Sequence, residues 1–328
     1  MNGGAGFLRL VLAELGRLRS RRVALVAAVI VLAGVGLFQL AVADEVTPPS
    51  ASQVAEQRQY YDQAHQQWEQ SHVEEEKACQ DQGGSVSDCA LPEPTPADYA
   101  LTASAFADVA PAAVQLSAYV TLLAAFLVGA SFIGAEYSTG SLANWLTFVP
   151  RRLHVYGSKL LAVVMASAVA GAVSNFLMVG LVVLLTRVHG GGLVGLGSAA
   201  ATAGRAIPIA VLAGVAGFVF ALLTRHTVAA LGIALGYVVL SAVVGSLAAN
   251  ADGPLGWLPP WLPEKNLDAF LQHGSTYYQY VQTVTPQGVS GDSVEKHLTF
   301  GHSALYWAVL LVAAVVSGAL VFRRRDVT

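Results

Sequence analysis

Charge is what this sequence has least of: 12% of its 328 residues are Asp, Glu, Lys or Arg, while 55% are apolar. Soluble domains carry roughly 25% and 45–50%, so the balance excludes an ordinary soluble chain. Six stretches lack Asp, Glu, Lys, Arg and His altogether: residues 23–42, 113–133, 160–185, 206–223, 228–249 and 304–322. A path for ions would need ionisable groups inside such stretches, and there are none. Other absences exclude chemistry. No G-x-x-x-x-G-K-[ST] occurs, so the chain builds no P-loop. No G-x-S-x-G nucleophile pattern occurs, all eight His lie outside the apolar runs, and His65 with His72 is too sparse for a metal site without further ligands. No catalytic residue and no metal ligand is therefore assigned.

What remains is a multi-pass membrane protein of all-α class. About 20 apolar residues carry a helix across the hydrocarbon, and each run is long enough to do so. The fourth is the shortest and contains Pro208. The Arg residues, apolar stretch and "AVAD" (41–44) at the N-terminus resemble a signal peptide, but the run exceeds the 7–15 residues usual there. It is read as a retained first span. Lys and Arg in short flanks favour the cytoplasmic side. Arg17, Arg19, Arg21, Arg22, Arg151, Arg152, Lys159, Arg225 and Arg323–Arg325 all fall on one side of six spans, which places both termini in the cytoplasm. By side, 12 basic and 3 acidic residues lie inside, against 6 basic and 18 acidic outside.

Two external segments follow from that topology. In residues 43–112, the stretch 54–80 reads as a helix whose Val54, Tyr61 and Trp68 recur every seven residues as one apolar stripe. The stripe rests either on the chain's own external loops or on a second copy or outside partner. "LPEPTPADY" (91–99) is a stiff connection back to the membrane. Cys79 and Cys89 both fall here, where oxidation is allowed, and are expected to form a disulfide across the Gly83-Gly84 bend. Residues 250–303 interleave Trp257 and Trp261 with Pro254, Pro259, Pro260 and Pro263, then carry Tyr277, Tyr278 and Tyr280. This reads as short helices dipping into the outer leaflet.

Most of the polarity between spans two and three sits in "GAEYSTGSLANWLTFVPRR" (134–152). The second span should continue beyond Ile133, letting Glu136 reach water or a basic partner before Gly140 ends the helix. Leu142, Trp145, Leu146 and Val149 then follow i, i+3, i+4, i+7 spacing, so a short amphipathic helix over 141–149 lies along the membrane surface. Pro150 stops it, and Arg151, Arg152 and Lys159 bracket the return. Leu8, Val11, Leu12, Leu15 and Leu18 form a similar apolar face before the first span, with Arg9, Glu14, Arg17 and Arg19 around it.

The run 134–164 resembles the permease subunits of the type-2 export class of ABC transporters, related in architecture to ABCG proteins. It carries a Glu after the second span, a Gly-containing turn, a small interfacial helix, a Pro-Arg pair and a basic residue at the foot of the third span. Here these are Glu136, Gly140, residues 141–149, Pro150-Arg151 and Lys159. The order of parts agrees over nearly the whole chain: an N-terminal connecting helix (1–22), a first span (23–42), an external cap (43–112), spans two to five with the coupling helix (113–249), a re-entrant external region (250–303), and a sixth span with basic tail (304–328). The cap is larger than in minimal members.

The resemblance implies that ATP and Mg are bound by separate cytoplasmic ATPase subunits, and that Glu136, Gly140, Leu142, Trp145, Leu146, Pro150, Arg151, Arg152 and Lys159 transmit their motion. It also implies a second permease, identical or not, and export from the cell membrane. No nucleic-acid partner is expected. Membrane lipids surround the chain, and few polar groups are available for a path: Gln39, Asn175 and Ser241, with Ser167, Ser174 and Ser246. A lipophilic or amphipathic cargo fits that set. Gly232 and Gly236 form a G-x-x-x-G that packs either within one subunit or between two. The competing functional reading is a membrane sensor or scaffold that binds a partner through its external segment and transports nothing.

Overall fold

Each charge-free run is a helix, and every helix but one overruns its charge-free run at both ends. The structure is a computed structural model and describes residues 3–141, 151–285 and 288–324. In chain order it has α1 (Gly3–Arg19), α2 (Arg22–Val46), α3 (Ala51–Asp81), α4 (Val86–Cys89), α5 (Phe106–Ser138), α6 (Arg152–Val188), α7 (Leu196–Thr224) and α8 (Thr227–Ala248). These are followed by a 3-10 turn (Pro259–Trp261), α9 (Pro263–Leu271), strands β1 (Ser275–Thr285) and β2 (Gly288–Leu298), and α10 (Phe300–Arg324). Six of these, α2, α5, α6, α7, α8 and α10, are long and apolar enough to cross a membrane. Pro208 sits inside α7 without ending it. At about 1.5 Å per residue, α5 (33 residues) and α6 (37 residues) are about 50 and 55 Å long. They therefore project well beyond a hydrocarbon layer about 30 Å thick.

The core is the crossing of α5 and α7. Of their apolar windows 61% is buried, against 33% for α6 and 6% for α8. Hydrophobic gain between helices is small in lipid, so close van der Waals approach must hold them together. Small residues permit it. A Cβ placed on Gly129 would overlap the Gly214 carbonyl oxygen, and one on Gly217 would overlap that of Phe126. Phe126, Phe132, Ile133, Val215, Phe218 and Leu222 close around this crossing.

Beyond the end of the bundle opposite the basic flanks, α3 begins with a capping box between Ser50 and Gln53. The Tyr61 and Trp68 part of its stripe rests on the chain's own connection. Trp68 Nε1 donates to the Leu91 carbonyl at 2.9 Å, Tyr61 meets Tyr99 edge-on at 5.9 Å, and the Leu91 N–H donates to Glu76 at 2.8 Å. Val54 stays exposed. Cys79 and Cys89 are bonded, with Gly83 at φ +97° between them. The bridge closes a short loop and should stabilise this cap by about 3 kcal/mol in the chain-entropy model. Intact mass should rise by two hydrogens on reduction, and Cys79→Ser should make α3 the first segment lost to protease.

The stretch 250–303 departs from the expectation of short helices only. One nine-residue helix, α9, is followed by an antiparallel hairpin in register from Ser275↔Leu298 to Thr285↔Gly288. The cause is legible afterwards: "STYYQYVQTVT" is a run of β-branched and aromatic residues alternating in facing, which suits a pleated strand. Tyr277 is buried with Leu298 against Ala269 of α9, whereas Tyr278 and Tyr280 face outward with Trp257 and Trp261 exposed nearby in sequence.

Candidate functional site

At the end of the bundle that carries the basic flanks, three chain segments meet on one lysine. Lys159, in the first two turns of α6, is fully buried. Its Nζ donates to Glu14 Oε2 of α1 and to Glu136 Oε1 of α5, each at 2.9 Å, and lies 2.8 Å from Glu136 Oε2. Glu136 Oε1 also accepts from Arg21, at the head of α2, at 3.2 Å. Arg21 spends its other nitrogen on the Ser131 carbonyl at 2.9 Å, and Arg17 lies 3.8 Å from Glu14. The Phe132 ring packs under both cations, 4.9 Å from the Arg21 guanidinium and 5.1 Å from Lys159 Nζ. Buried charges carry a desolvation penalty of several kcal/mol each, which only paired, hydrogen-bonded geometry offsets. Here two carboxylates and their cations balance, and they fasten α1, α2, α5 and α6 to each other.

Local sequence explains how each group arrives. The second helix runs past Ile133 as expected, ends at Ser138, and reverses at Gly140, whose φ of +64° is a left-handed value that suits glycine. Glu136 meets basic partners, but in a buried site and not in water. In α1 the expected facing is corrected. Val11, Glu14 and Leu18 point inward, with Phe7 beside His154 of α6, while Leu8 and Leu12 are exposed. The carboxylate that hydropathy assigns to the polar face is fully buried because Lys159 waits opposite it. The spacing 7, 11, 14, 18 is the signal that could have found Glu14, and Arg21 was read only as a flank charge.

Of the other residues singled out from sequence, Arg151 is the exposed N-cap of α6 and Arg152 its first residue. Leu142, Trp145, Leu146 and Pro150 lie outside the described residues, as does nearly all of the expected helix 141–149. Gln39 and Asn175 are near one another in the chain's packing, since Gln39 Nε2 contacts the sulfur of Met178, one turn from Asn175. Ser241 is not brought to them; it bonds the Val238 carbonyl of its own helix. Asn175 is not itself a tie between helices. Its Nδ2 donates within α6, to Gly171 and Ser174, and the tie is made next door by Ser174 Oγ with Thr121 Oγ1 at 2.7 Å. Gly232 and Gly236 have nothing within 4 Å of where a Cβ would stand. Among the described residues, neither glycine is therefore a point of close approach to another helix.

A second polar cluster, at the opposite end, was not anticipated. Asp268 of α9 accepts from Gln115 at 2.6 Å and Tyr119 at 2.7 Å, both on α5. Glu264, one turn earlier, accepts from Tyr237 of α8, and Arg205 of α7 donates to the Leu271 carbonyl at 2.7 Å. The short helix is thus fastened to three spans. No protein-family model matches the chain, and no curated protein matches it.

Proposed function

We propose that this chain is the transmembrane permease subunit of an ABC-type exporter, seated in the cell membrane with both termini cytoplasmic. The observation that carries the reading is the buried cluster of Glu14, Glu136, Arg21 and Lys159. It sits at both feet of the segment that joins α5 to α6, the segment that in the resembled family meets the ATPase. A push on that segment reaches α1, α2, α5 and α6 together, because Lys159 holds carboxylates of α1 and α5 at once and Glu136 in turn holds Arg21 of α2, so the four helices share one buried network. Glu136 and Lys159 stand at the positions that the resemblance assigns to coupling. With no P-loop in the chain, the resemblance leaves ATP and Mg to a partner subunit. Cargo of lipophilic or amphipathic character suits a bundle with no charge in its six apolar runs.

The test is to co-express the chain with any P-loop ATPase that its neighbouring coding sequences supply, purify it in mild detergent and measure hydrolysis. Co-purification with vanadate-sensitive turnover is the expected result. Arg151→Ala, at an exposed position, should then lower turnover several-fold with unchanged melting temperature. A chain that emerges alone and inert would shift the reading to the scaffold, with the α3 cap as the surface to probe.

A further inference from the structure

We infer that the basic end of α2 holds the headgroup phosphate of an anionic phospholipid, in a cavity beside the ion cluster. A cavity of about 300 Å³ is lined by Arg21, Arg22, Ser131, Glu136, Thr139 and Ser141 among others, which falls at the lower end of the roughly 300–1,000 Å³ typical of small-ligand sites. Four features of this cavity suit a phosphate. The first turn of α2 starts there with Arg21 as N-cap and no side chain capping it, so backbone N–H groups and the positive end of the helix dipole face the space. The Ser141 hydroxyl lies on the cavity wall, 3.1 Å from that of Thr139, whose single proton goes to the Ala135 carbonyl at 2.8 Å, and it can turn its own proton from Thr139 to an anion. Glu136 does not repel an anion, since Lys159 and Arg21 already hold its carboxylate. Charge is also left over: Glu14 and Glu136 are met by Lys159 and Arg21, and Arg22 then stands exposed on the cavity wall as a surplus cation.

A lipid, in preference to a free phosphate, is indicated by what adjoins the cavity. From Val23 the helix enters its charge-free run, and Leu25, Val26, Val29 and Ile30 are all substantially exposed directly beyond the arginines. A headgroup among Arg21, Arg22 and Ser141 would lay its acyl chains along that face. Attraction between basic residues and anionic headgroups is worth about 1 kcal/mol per residue near the surface. The inference needs only the membrane location and does not depend on the transport reading.

The test uses the full chain in detergent micelles doped with phosphatidylglycerol or with phosphatidylcholine, and counts retained lipid by native mass spectrometry. Phosphatidylglycerol should be retained and phosphatidylcholine should not. Arg22→Gln should lower that retention about tenfold or more, the effect of losing one charge-assisted hydrogen bond to the phosphate, whereas Arg19→Gln, which removes the same charge outside the cavity, should leave it nearly unchanged. Equal retention of the two lipids would overturn the site. So would an equal loss in Arg19→Gln, which would mean attraction to net charge alone. Displacement of the lipid by millimolar inorganic phosphate would reassign the cavity to a free anion and overturn the lipid assignment.

Discussion

Lys159→Met is expected to be the most damaging single substitution in the chain outside the helix crossing. It leaves Glu14 fully buried with only Arg17, 3.8 Å away, for company, and leaves Glu136 with Arg21 alone. Removing one member of a buried ion pair typically costs 3–5 kcal/mol, so the melting temperature in detergent should fall by about 10 °C. The double variant Glu14→Gln/Lys159→Met separates charge from packing. It removes one carboxylate and the lysine together and leaves the balanced pair Glu136–Arg21, so it should regain about 2 kcal/mol over Lys159→Met. A double variant no more stable than the single one would show that lost volume, and not the stranded carboxylate, explains the damage. Glu14→Gln by itself should cost little, because Lys159 keeps Glu136.

The second large effect concerns glycine. Alanine is favoured over glycine inside a helix by about 1 kcal/mol, so Gly→Ala should help wherever space is open. At Gly129 and Gly217 the sign should reverse. The added methyl would overlap a carbonyl oxygen of the facing helix, which is backbone and cannot rotate away. The α5–α7 crossing would have to open, and overpacking of this kind costs about 1–3 kcal/mol or more. Gly217→Ala and Gly129→Ala should each reduce the yield of monodisperse protein and its melting temperature, and Gly217→Val should abolish recovery. Gly232→Ala and Gly236→Ala should leave the protomer intact, since both positions are open. If a second copy of the chain packs on α8 through these glycines, Gly232→Ile should dissociate that pair while the protomer still melts normally. Tolerance of Gly217→Ala would mean that the two helices do not approach as closely as described.

The order and length of the apolar runs determined six helices long and apolar enough to cross a membrane, and the pattern over 54–80 announced the long helix found at Ala51–Asp81. These are local properties: transfer of a charge into hydrocarbon is costly enough that its absence over 20 residues leaves few alternatives. The reversal at Gly140 was legible for the same reason, because a helix that must stop needs a residue tolerant of positive φ. The hairpin at 275–298 was missed because aromatic residues near a membrane surface suit an interfacial anchor as well as a strand, and pairing with β2 is what decides between them.

Glu14 shows the limit most clearly. On its own helix it reads as a polar-face residue, and only Lys159, 145 positions away in sequence, makes its burial possible. The same holds for Asp268, whose partners Gln115 and Tyr119 come from α5. Which glycines serve as contact points was likewise invisible. Gly129, Gly214 and Gly217 sit at a crossing, while the more conspicuous Gly232 and Gly236 sit in open space. Hydropathy fixes what enters the membrane because it is a property of each residue against one solvent. Pairing of buried charges and close approach of backbones are properties of two segments at once, so only the tertiary structure could decide them.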